Sequence, residues 1–217
     1  MDIMEAMNVR HSVRQYEEKP IGNGILEELQ KEVDACNQES GLHIQIVTNE
    51  PKAFSGFMAH YGSFRGVKNY IALVGAKSRD LDEKCGYYGE RLVLKAQQLG
   101  LNTCWVAMTY SKTPGAVQIG RGEKLAVVIS VGYGKTQGNP HKIKTIEEVS
   151  NVSESTPDWF KSGVEAALLA PTAMNQQKFV FTYADGGVSV KAGAGFYTKM
   201  DLGIVKYHFE LGSGRTI

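Results

Sequence analysis

The feature that most constrains this chain is the alternation of amphipathic helix patterns with apolar runs of strand length. The segment CGYYGERLVLKAQQLGL, residues 85–101, carries an apolar stripe at helical spacing, formed by Tyr88, Leu92, Ala96 and Leu99. Runs such as LAVVISV, residues 125–131, suit a buried strand and are too short to cross a bilayer. The pattern therefore predicts a mixed helix-and-sheet protein with a buried core and no membrane span.

The same reading assigns the remaining elements. Helical patterns cover residues 2–7, 25–36, 52–61, 158–170 and 201–212, and strand patterns cover residues 43–49, 69–75, 102–108 and 124–134. Two further strand patterns, 178–187 and 188–193, predict a hairpin. We expect Asp201 to cap the last helix.

Bulk charge excludes some functions. The chain has 217 residues with 24 Lys+Arg against 23 Asp+Glu, so it carries no overall field that would attract nucleic acid, and any anion site must be local. Three cysteines without a CxxC pair, and five histidines without ligand spacing, argue against a metal site. Because the N-terminus lacks a signal-peptide pattern, we expect reduced thiols in a cytoplasmic protein.

One local concentration of cations stands out in this near-neutral chain. In NVRHSVRQY, residues 8–16, Arg10, Ser12 and Arg14 alternate, so an extended backbone would place all three side chains on one face. Two guanidinium groups and a hydroxyl there would form a receptor for a phosphate group. The alternative is a solvated arginine pair bridged to Glu17 and Glu18.

A second candidate is the segment APTAMNQQKF, residues 170–179. Pro171 ends the preceding helix, and the amides of Asn175 and Gln177 can each donate and accept hydrogen bonds. That mixture suits a planar heterocycle with imide edges, such as a flavin. The alternative is a loop whose amides satisfy its own backbone.

The polar stretch of residues 135–159 is the best linker in the chain, and it divides a first half, residues 1–150, from a second half, residues 151–217. The two halves share an order of helix, loop and strand, since LQKEVDAC followed by HIQIVTNE matches FKSGVEAA followed by KFVFTYADG. We interpret this as an internal duplication packed as one compact unit; the alternative is two unrelated amphipathic helices. A duplicated chain could supply two faces that otherwise come from two subunits.

Four segments together resemble the FMN-dependent nitroreductase family. RHSVRQYEEKPI is similar to its Arg-x-Ser-x-Arg-x-aromatic opening, QLGLNTCWVAM to its Leu-Gly-Leu-x-Thr-x-Trp strand, APTAMNQQKFVF to its Pro-Ser/Thr-x-x-Asn-x-Gln segment, and SVGYGKTQGNPHKIKTIEEV to its closing Gly-Tyr segment. In ordinary members the Pro-Ser-x-x-Asn-x-Gln segment follows the first helix pair, whereas here it lies near the C-terminus. That order resembles the compact, internally duplicated branch known as the "putative TM nitroreductase" type.

The resemblance implies a nitroreductase-like α+β fold with a central, mainly antiparallel sheet flanked by helices and an internal pseudo-duplication. It implies FMN as cofactor, with the phosphate and ribityl hydroxyls on the Arg-x-Ser-x-Arg segment. The residues that match the family's cofactor contacts are Arg10, His11, Ser12, Arg14, Val106, Ala107, Lys144, Pro171, Thr172, Ala173, Asn175 and Gln177. Lys144 stands where the family more often has arginine.

The implied activity is an FMN oxidoreductase that takes hydride from NADH or NADPH and reduces a nitro, quinone or related small-molecule acceptor by a ping-pong mechanism, without a catalytic side chain of its own. One alternative is a non-catalytic FMN carrier or sensor whose ring face is covered by residues 52–66, and another is a scaffold without cofactor. Ordinary members are obligate dimers, but a duplicated chain could complete the site alone, so monomer and homodimer both stay open.

Overall fold

The computed structural model describes residues 1–217, which form seven α-helices and six β-strands. Helices α1 to α7 span Ile3–Val9, Asn23–Ser40, Phe57–Tyr61, Leu81–Gln98, Ile146–Val149, Asp158–Leu168 and Thr198–Ser213. Strands β1 to β6 span Gln45–Val47, Tyr70–Ala76, Asn102–Val106, Glu123–Gly132, Phe179–Ala184 and Gly187–Ala192. Helices and antiparallel strands together confirm the predicted α+β class. None of the seven helices combines the length and the apolar character that a bilayer span requires.

The chain forms two compact units. One, which we call the sheet unit, consists of Arg10–Leu81 and Leu92–Asn139. The other, the hairpin unit, consists of Met1–Val9, Asp82–Arg91 and Pro140–Ile217. The division near residue 150 and the internal duplication stay predictions.

The sheet unit is built on a four-stranded antiparallel sheet in the order β1-β2-β4-β3. Its central strand β2 is buried from Tyr70 to Gly75, which explains why the sequence there is an unbroken apolar run rather than an alternation. On one face, Tyr70 and Ala72 join a core with Tyr16, Phe54 and Cys104. Strand β3 lies at one edge of this sheet, so one side of its backbone is available to another segment.

The hairpin unit contains the antiparallel pair β5–β6, as predicted. Asp185 and Gly186 form its turn with φ of 51° and 77°, the left-handed pair that a tight hairpin requires. The unit's core is aromatic: the ring of Phe181 stacks on that of Phe209 with centroids 4.7 Å apart, and Phe160 lies 6.0 Å from Phe209.

A fully buried polar pair lies among α6, α7 and the part of α4 that belongs to the hairpin unit. The Nε2 of His208 in α7 lies 2.9 Å from the Oε1 of Glu90 in α4, and both side chains are completely buried. The Nδ1 of His208 lies 3.1 Å from the carbonyl oxygen of Ala166 in α6. Since a buried polar group that loses its partner is costly, these contacts set how α4, α6 and α7 align.

Two details differ from the sequence interpretation. The helix expected over residues 52–61 is a 3₁₀ turn, Lys52–Phe54, followed by the short α3, because Gly56 has an extended backbone with φ −81° and ψ 170°. Asp201 does not cap the last helix, since α7 begins at Thr198 after Tyr197, whose φ of 60° is left-handed. Asp201 lies inside the first turn and is buried, three, four and seven positions before the buried Ile204, Val205 and His208.

Close packing of α7 on α4 predicts a strong effect at Gly203. A methyl group there would overlap the carbonyl oxygen of Glu83 and approach the backbone nitrogen of Tyr87, neither of which can move independently. We expect Gly203→Ala to lower the free energy of unfolding by about 1–3 kcal/mol or more, although alanine favours helix. Urea denaturation measures this change.

The matched control is Gly24→Ala in α2, where a methyl group would meet no atom within 4 Å. It should be neutral or stabilise by up to about 1 kcal/mol. Equal effects of the two substitutions would contradict the close helix contact.

Candidate functional site

The arginine-rich segment lies along the free edge of strand β3. The backbone N–H of Val13 donates to the carbonyl of Thr103 at 2.9 Å, and Ser12 bridges Thr103 in parallel fashion. Farther along, the N–H of Tyr16 donates to the carbonyl of Arg65 and the N–H of Arg65 donates to that of Arg14, both at 3.0 Å. Hydrogen bonds on both sides hold this segment extended, which is the condition that the interpretation of its alternating pattern assumes. We call residues 10–14 the clamp segment.

The two arginines and the serine of the clamp segment all act on one thiol, that of Cys104. Burial raises the pKa of Cys104, while the guanidinium of Arg14, a hydrogen bond with Ser12 and the guanidinium of Arg10 each act to lower it. All three groups therefore lie within electrostatic reach of the same sulfur. Arg10 is buried, Ser12 is half-buried and Arg14 is exposed, so the group runs from the interior of the unit to its surface.

Tyr16 anchors the end of this segment in the core. Its hydroxyl donates to the carbonyl of Val13 at 2.8 Å and lies 2.8 Å from the hydroxyl of Ser130 on β4. Burial and the nearby Cys104 raise the pKa of Tyr16 well above its ordinary value, so its ring stays neutral. Tyr16 thereby fixes the position of the backbone at Arg14, whose side chain is exposed.

A glycine loop packs against the other side of the clamp segment. The N–H of Gly134 donates to the side chain of Asn102 at 2.9 Å, and the amide of Asn102 donates to that of Gln137 at 3.0 Å. Gly138, with φ +76°, comes so close that a methyl group on it would lie 2.7 Å from the Cβ of His11. The half-buried His11 therefore packs directly against the loop at Gly138.

Val106 and Ala107, the two residues expected at the flavin edge, lie at the end of β3. Val106 is its last residue, is buried and pairs with Val128. Ala107 comes next, beyond the ladder, and is half-buried.

In the hairpin unit, the loop of residues 172–177, which we call the amide loop, has an unusual backbone. Met174, Asn175 and Gln177 have φ of 52°, 53° and 45°, in the left-handed region that side chains rarely adopt. The side chain of Met174 is 81% exposed, so burial of this residue does not offset the strain. Such outliers concentrate at functional sites, which makes this loop a candidate on structural grounds.

The amides of this loop are largely used within the chain. Gln177 is buried; its Oε1 accepts the N–H of Lys144 at 2.9 Å and its Nε2 donates to the carbonyl of Lys142 at 2.8 Å. The Nζ of Lys144 donates to the carbonyl of Gln177 at 2.9 Å, and Asn175, which is exposed, donates to Lys142 at 2.8 Å. For both Gln177 and Asn175 these contacts match the alternative in which loop amides satisfy the chain's own groups, and Asn175 differs in being exposed.

Sequence reasoning missed the residue that holds the other side of the loop. The carboxylate of Asp201 accepts the N–H of Ala173 at 2.9 Å and the side-chain amide of Gln176 at 2.7 Å. Burial raises the pKa of Asp201 to about 6, although both hydrogen bonds act to lower it. The signal was available: Asp201 occupies the same helical face as Ile204, Val205 and His208, where a carboxylate needs partners.

The candidate residues therefore form two groups. The sheet unit holds Arg10, His11, Ser12, Arg14, Val106 and Ala107, and the hairpin unit holds Lys144, Pro171, Thr172, Ala173, Asn175 and Gln177. The first group has the cations and hydroxyl that suit a phosphate dianion. The second has the exposed amide and backbone groups that suit an imide edge. The donor set in each unit fits the part of FMN that the resemblance assigns to it.

Crowding at the clamp segment gives a test of this geometry. Gly138→Ala would introduce both an unfavourable left-handed backbone and contact with His11 and with the carbonyl of Ser12. Gly122→Ala, with φ +83° and no atom within 4 Å, would introduce the backbone cost alone, about 1–2 kcal/mol. We expect Gly138→Ala to lower the free energy of unfolding by at least about 1 kcal/mol more, measured by urea denaturation. Equal losses of unfolding free energy for the two variants would show that the loop at Gly138 does not contact the clamp segment closely.

Solved structures share this fold. The protein resembles a "putative nitroreductase" of Thermotoga maritima with a TM-score of 0.69 and 24% identity over 98% of this chain and 83% of that one. It also resembles a "putative nitroreductase in complex with FMN" of Desulfovibrio desulfuricans, with a TM-score of 0.57 and 16% identity over 72% and 99% of the two chains. A "putative NADH dehydrogenase/NAD(P)H nitroreductase" of Parabacteroides distasonis gives a TM-score of 0.54 and 19% identity over 71% and 98%.

At these identities the structural likeness establishes the fold, which is nitroreductase-like as predicted. No curated protein matches the sequence. The family model described as "Putative TM nitroreductase" matches residues 2–213, nearly the whole chain. The protein therefore belongs to this nitroreductase family, as its four sequence motifs predict.

Proposed function

We propose that this protein is an FMN-dependent oxidoreductase that takes hydride from NADH or NADPH and reduces a nitro, quinone or related small-molecule acceptor. The observation that carries the proposal is the clamp segment, whose Arg10, Ser12 and Arg14 alternate along a backbone fixed to strand β3 and all influence the pKa of Cys104. Family membership supports it, and so does the FMN complex of the Desulfovibrio structure with the same fold.

The clamp segment would hold the charged end of the cofactor. FMN carries a phosphate dianion, and a protein with a formal net charge of +1 needs a local cluster of cations to bind it. Arg14 is exposed and can approach a phosphate from solvent, whereas the buried Arg10 would add charge from beneath. Ser12 and His11 would supply further donors, and the backbone groups of Val106 and Ala107 would meet the ring edge.

The amide loop would contact the flavin ring. Its exposed Asn175 and the backbone around Pro171, Thr172 and Ala173 would provide the donors and acceptors. We assign Gln177 and Lys144 to shaping the loop, because Gln177 is buried and the hydrogen bonds of both residues join the loop to residues 142–144.

Bound FMN would supply the two-electron chemistry. The protein's own residues would bind and orient the cofactor, and the cations of the clamp segment would favour an added negative charge. We propose no catalytic acid or base, because hydride transfer between nucleotide and flavin requires none from the protein. One site that received first the nucleotide and then the acceptor would give ping-pong kinetics. Cytoplasmic location and the choice between monomer and homodimer stay predictions.

Removing one guanidinium tests the clamp. Arg14→Ala should weaken FMN binding by about 10- to 100-fold, because hydrogen bonds to charged groups are worth about 1.5–3 kcal/mol. Fluorescence titration of the apoprotein with FMN measures the dissociation constant. Arg121→Ala, which removes an exposed arginine elsewhere in the sheet unit, is the control and should leave it unchanged. A scaffold that binds no flavin would show no titration for any form.

The kinetic order tests the proposed reaction. Purified protein reconstituted with FMN should lose its flavin absorbance on anaerobic addition of NADH or NADPH and regain it with a quinone. Initial rates at several nucleotide and quinone concentrations should give parallel double-reciprocal lines. Bound FMN that neither nucleotide reduces would favour the carrier or sensor alternative, and intersecting lines would exclude the ping-pong order.

A further inference from the structure

The amide loop keeps a strained backbone that its own side chains stabilise only in part. The N–H of Gln177 donates to the hydroxyl of Thr172 at 3.1 Å, and the Nε2 of Gln177 donates to the Oδ1 of Asn175 at 3.0 Å. Left-handed φ values at Met174, Asn175 and Gln177 each cost free energy and persist only where neighbouring groups impose them. Met174 projects into solvent and gains nothing from packing. Hydrogen bonds from outside the loop therefore supply the rest of what imposes this conformation.

On one side of the loop, the acceptor of those hydrogen bonds is Asp201. Its two carboxylate oxygens each accept one hydrogen bond from the loop, Oδ1 from the N–H of Ala173 and Oδ2 from the side chain of Gln176. The same Nε2 of Gln176 donates to the carbonyl of Phe196 at 2.9 Å. One buried carboxylate on the first turn of α7 thus holds both ends of residues 173–176.

Asp201 holds the loop with an ionised group that is expensive to bury. Its two donors, Ala173 and Gln176, are uncharged. The charged groups on the packed elements have partners of their own: Glu83 pairs with Lys206 at 2.5 Å, Glu90 with His208 at 2.9 Å, and the Nζ of Lys178 donates to the carbonyl of Ala194 at 3.0 Å. Lys199, two residues before Asp201, is exposed.

The sign of the resulting pH dependence follows from the pKa. Burial raises the pKa of Asp201 from 3.8 to about 6, so the folded protein binds more protons than the unfolded chain between these values. This contribution to stability is therefore present below about pH 4 and is lost as the pH rises through about 6. At neutral pH the charge of Asp201 makes the fold less stable than a neutral group of the same size would.

We propose that Asp201 is a positioning residue of the flavin site, whose carboxylate holds residues 173–176 in the strained conformation in which the amide loop meets the cofactor's ring. The inference rests on the proposed FMN function. Its basis is that a strained backbone and a buried charge, two features that each reduce stability, occur together in one place. Their common result is a fixed loop, the pattern expected where function is maintained at the expense of stability.

Asp201→Asn tests the inference in the full-length protein. Asparagine has nearly the same size and can still accept the N–H of Ala173. Its amino group, however, faces the amino group of Gln176, so the hydrogen bond with Gln176 is lost. We expect the dissociation constant for FMN to rise about tenfold. We expect the melting temperature at neutral pH to be unchanged or higher, because the buried charge is gone, with this advantage shrinking toward pH 4.

The control is Asp185→Asn, which makes the same change of charge at the exposed hairpin turn of the same unit, where asparagine tolerates a positive φ. Hydrogen exchange of the peptide covering residues 172–177, measured without FMN, reports the loop directly. It should become faster in Asp201→Asn and stay unchanged in Asp185→Asn. Gln176→Met removes the hydrogen bond between Gln176 and Asp201 but keeps the charge of Asp201. It should raise the dissociation constant for FMN severalfold, and it serves as the second variant if Asp201→Asn does not fold.

The outcomes separate the two hypotheses. If the wild-type protein binds FMN and Asp201→Asn binds it equally well, the inference is wrong and the proposed function stands. A melting temperature that falls together with FMN affinity would also overturn it, since that result describes an ordinary structural residue. If the wild-type protein binds no FMN, the proposed function fails, and faster exchange in Asp201→Asn would still show that the carboxylate holds the loop.

Discussion

The free edge of strand β3 is the constraint on which the candidate site depends. An edge strand exposes unpaired backbone groups, and here the carbonyl of Thr103 receives the N–H of Val13. The extended clamp segment then follows β3, and its alternation decides that Val13 enters the core while Arg14 points to solvent. Without that pairing, the two arginines would be long flexible side chains on a loop with no common direction.

Along the clamp segment, the exposure of the polar side chains to solvent increases from Arg10 to Arg14. Arg10 is buried, Ser12 is half-buried and Arg14 is exposed, while Tyr16 closes the segment with its hydroxyl on Ser130. A buried guanidinium strengthens a local positive potential because the surroundings screen it less than water does. The chain can thus present a cationic group to an anion although its positive and negative charges nearly balance.

The candidate loop of the hairpin unit differs from the clamp segment, because it is polar, strained and close to the surface and therefore has to be held in place by hydrogen bonds. Lys144 and Gln177 fasten one side of the loop and Asp201 fastens the other. These contacts reduce the freedom of the loop before any ligand arrives, which lowers the entropy that binding must overcome. The fully buried Glu90–His208 pair keeps α7, and with it the position of Asp201, in register with α4.

The sequence by itself determined the strands, most helices, the hairpin and the family, because these follow from local patterns: the apolar run of β2, the stripe of α4, the Asp185–Gly186 turn and four spaced motifs. For the clamp segment, the alternation showed only what an extended backbone would present, and the pairing with Thr103 is what makes it extended. The sequence did not reveal the break at Gly56 or the role of Asp201. The apolar residues three and four positions after Asp201 indicate burial, but they do not distinguish a carboxylate that caps the helix from one that accepts hydrogen bonds from a loop 28 residues away. Only tertiary structure decided between these, because burial and the donors of Ala173 and Gln176 come from parts of the chain that folding brings to Asp201.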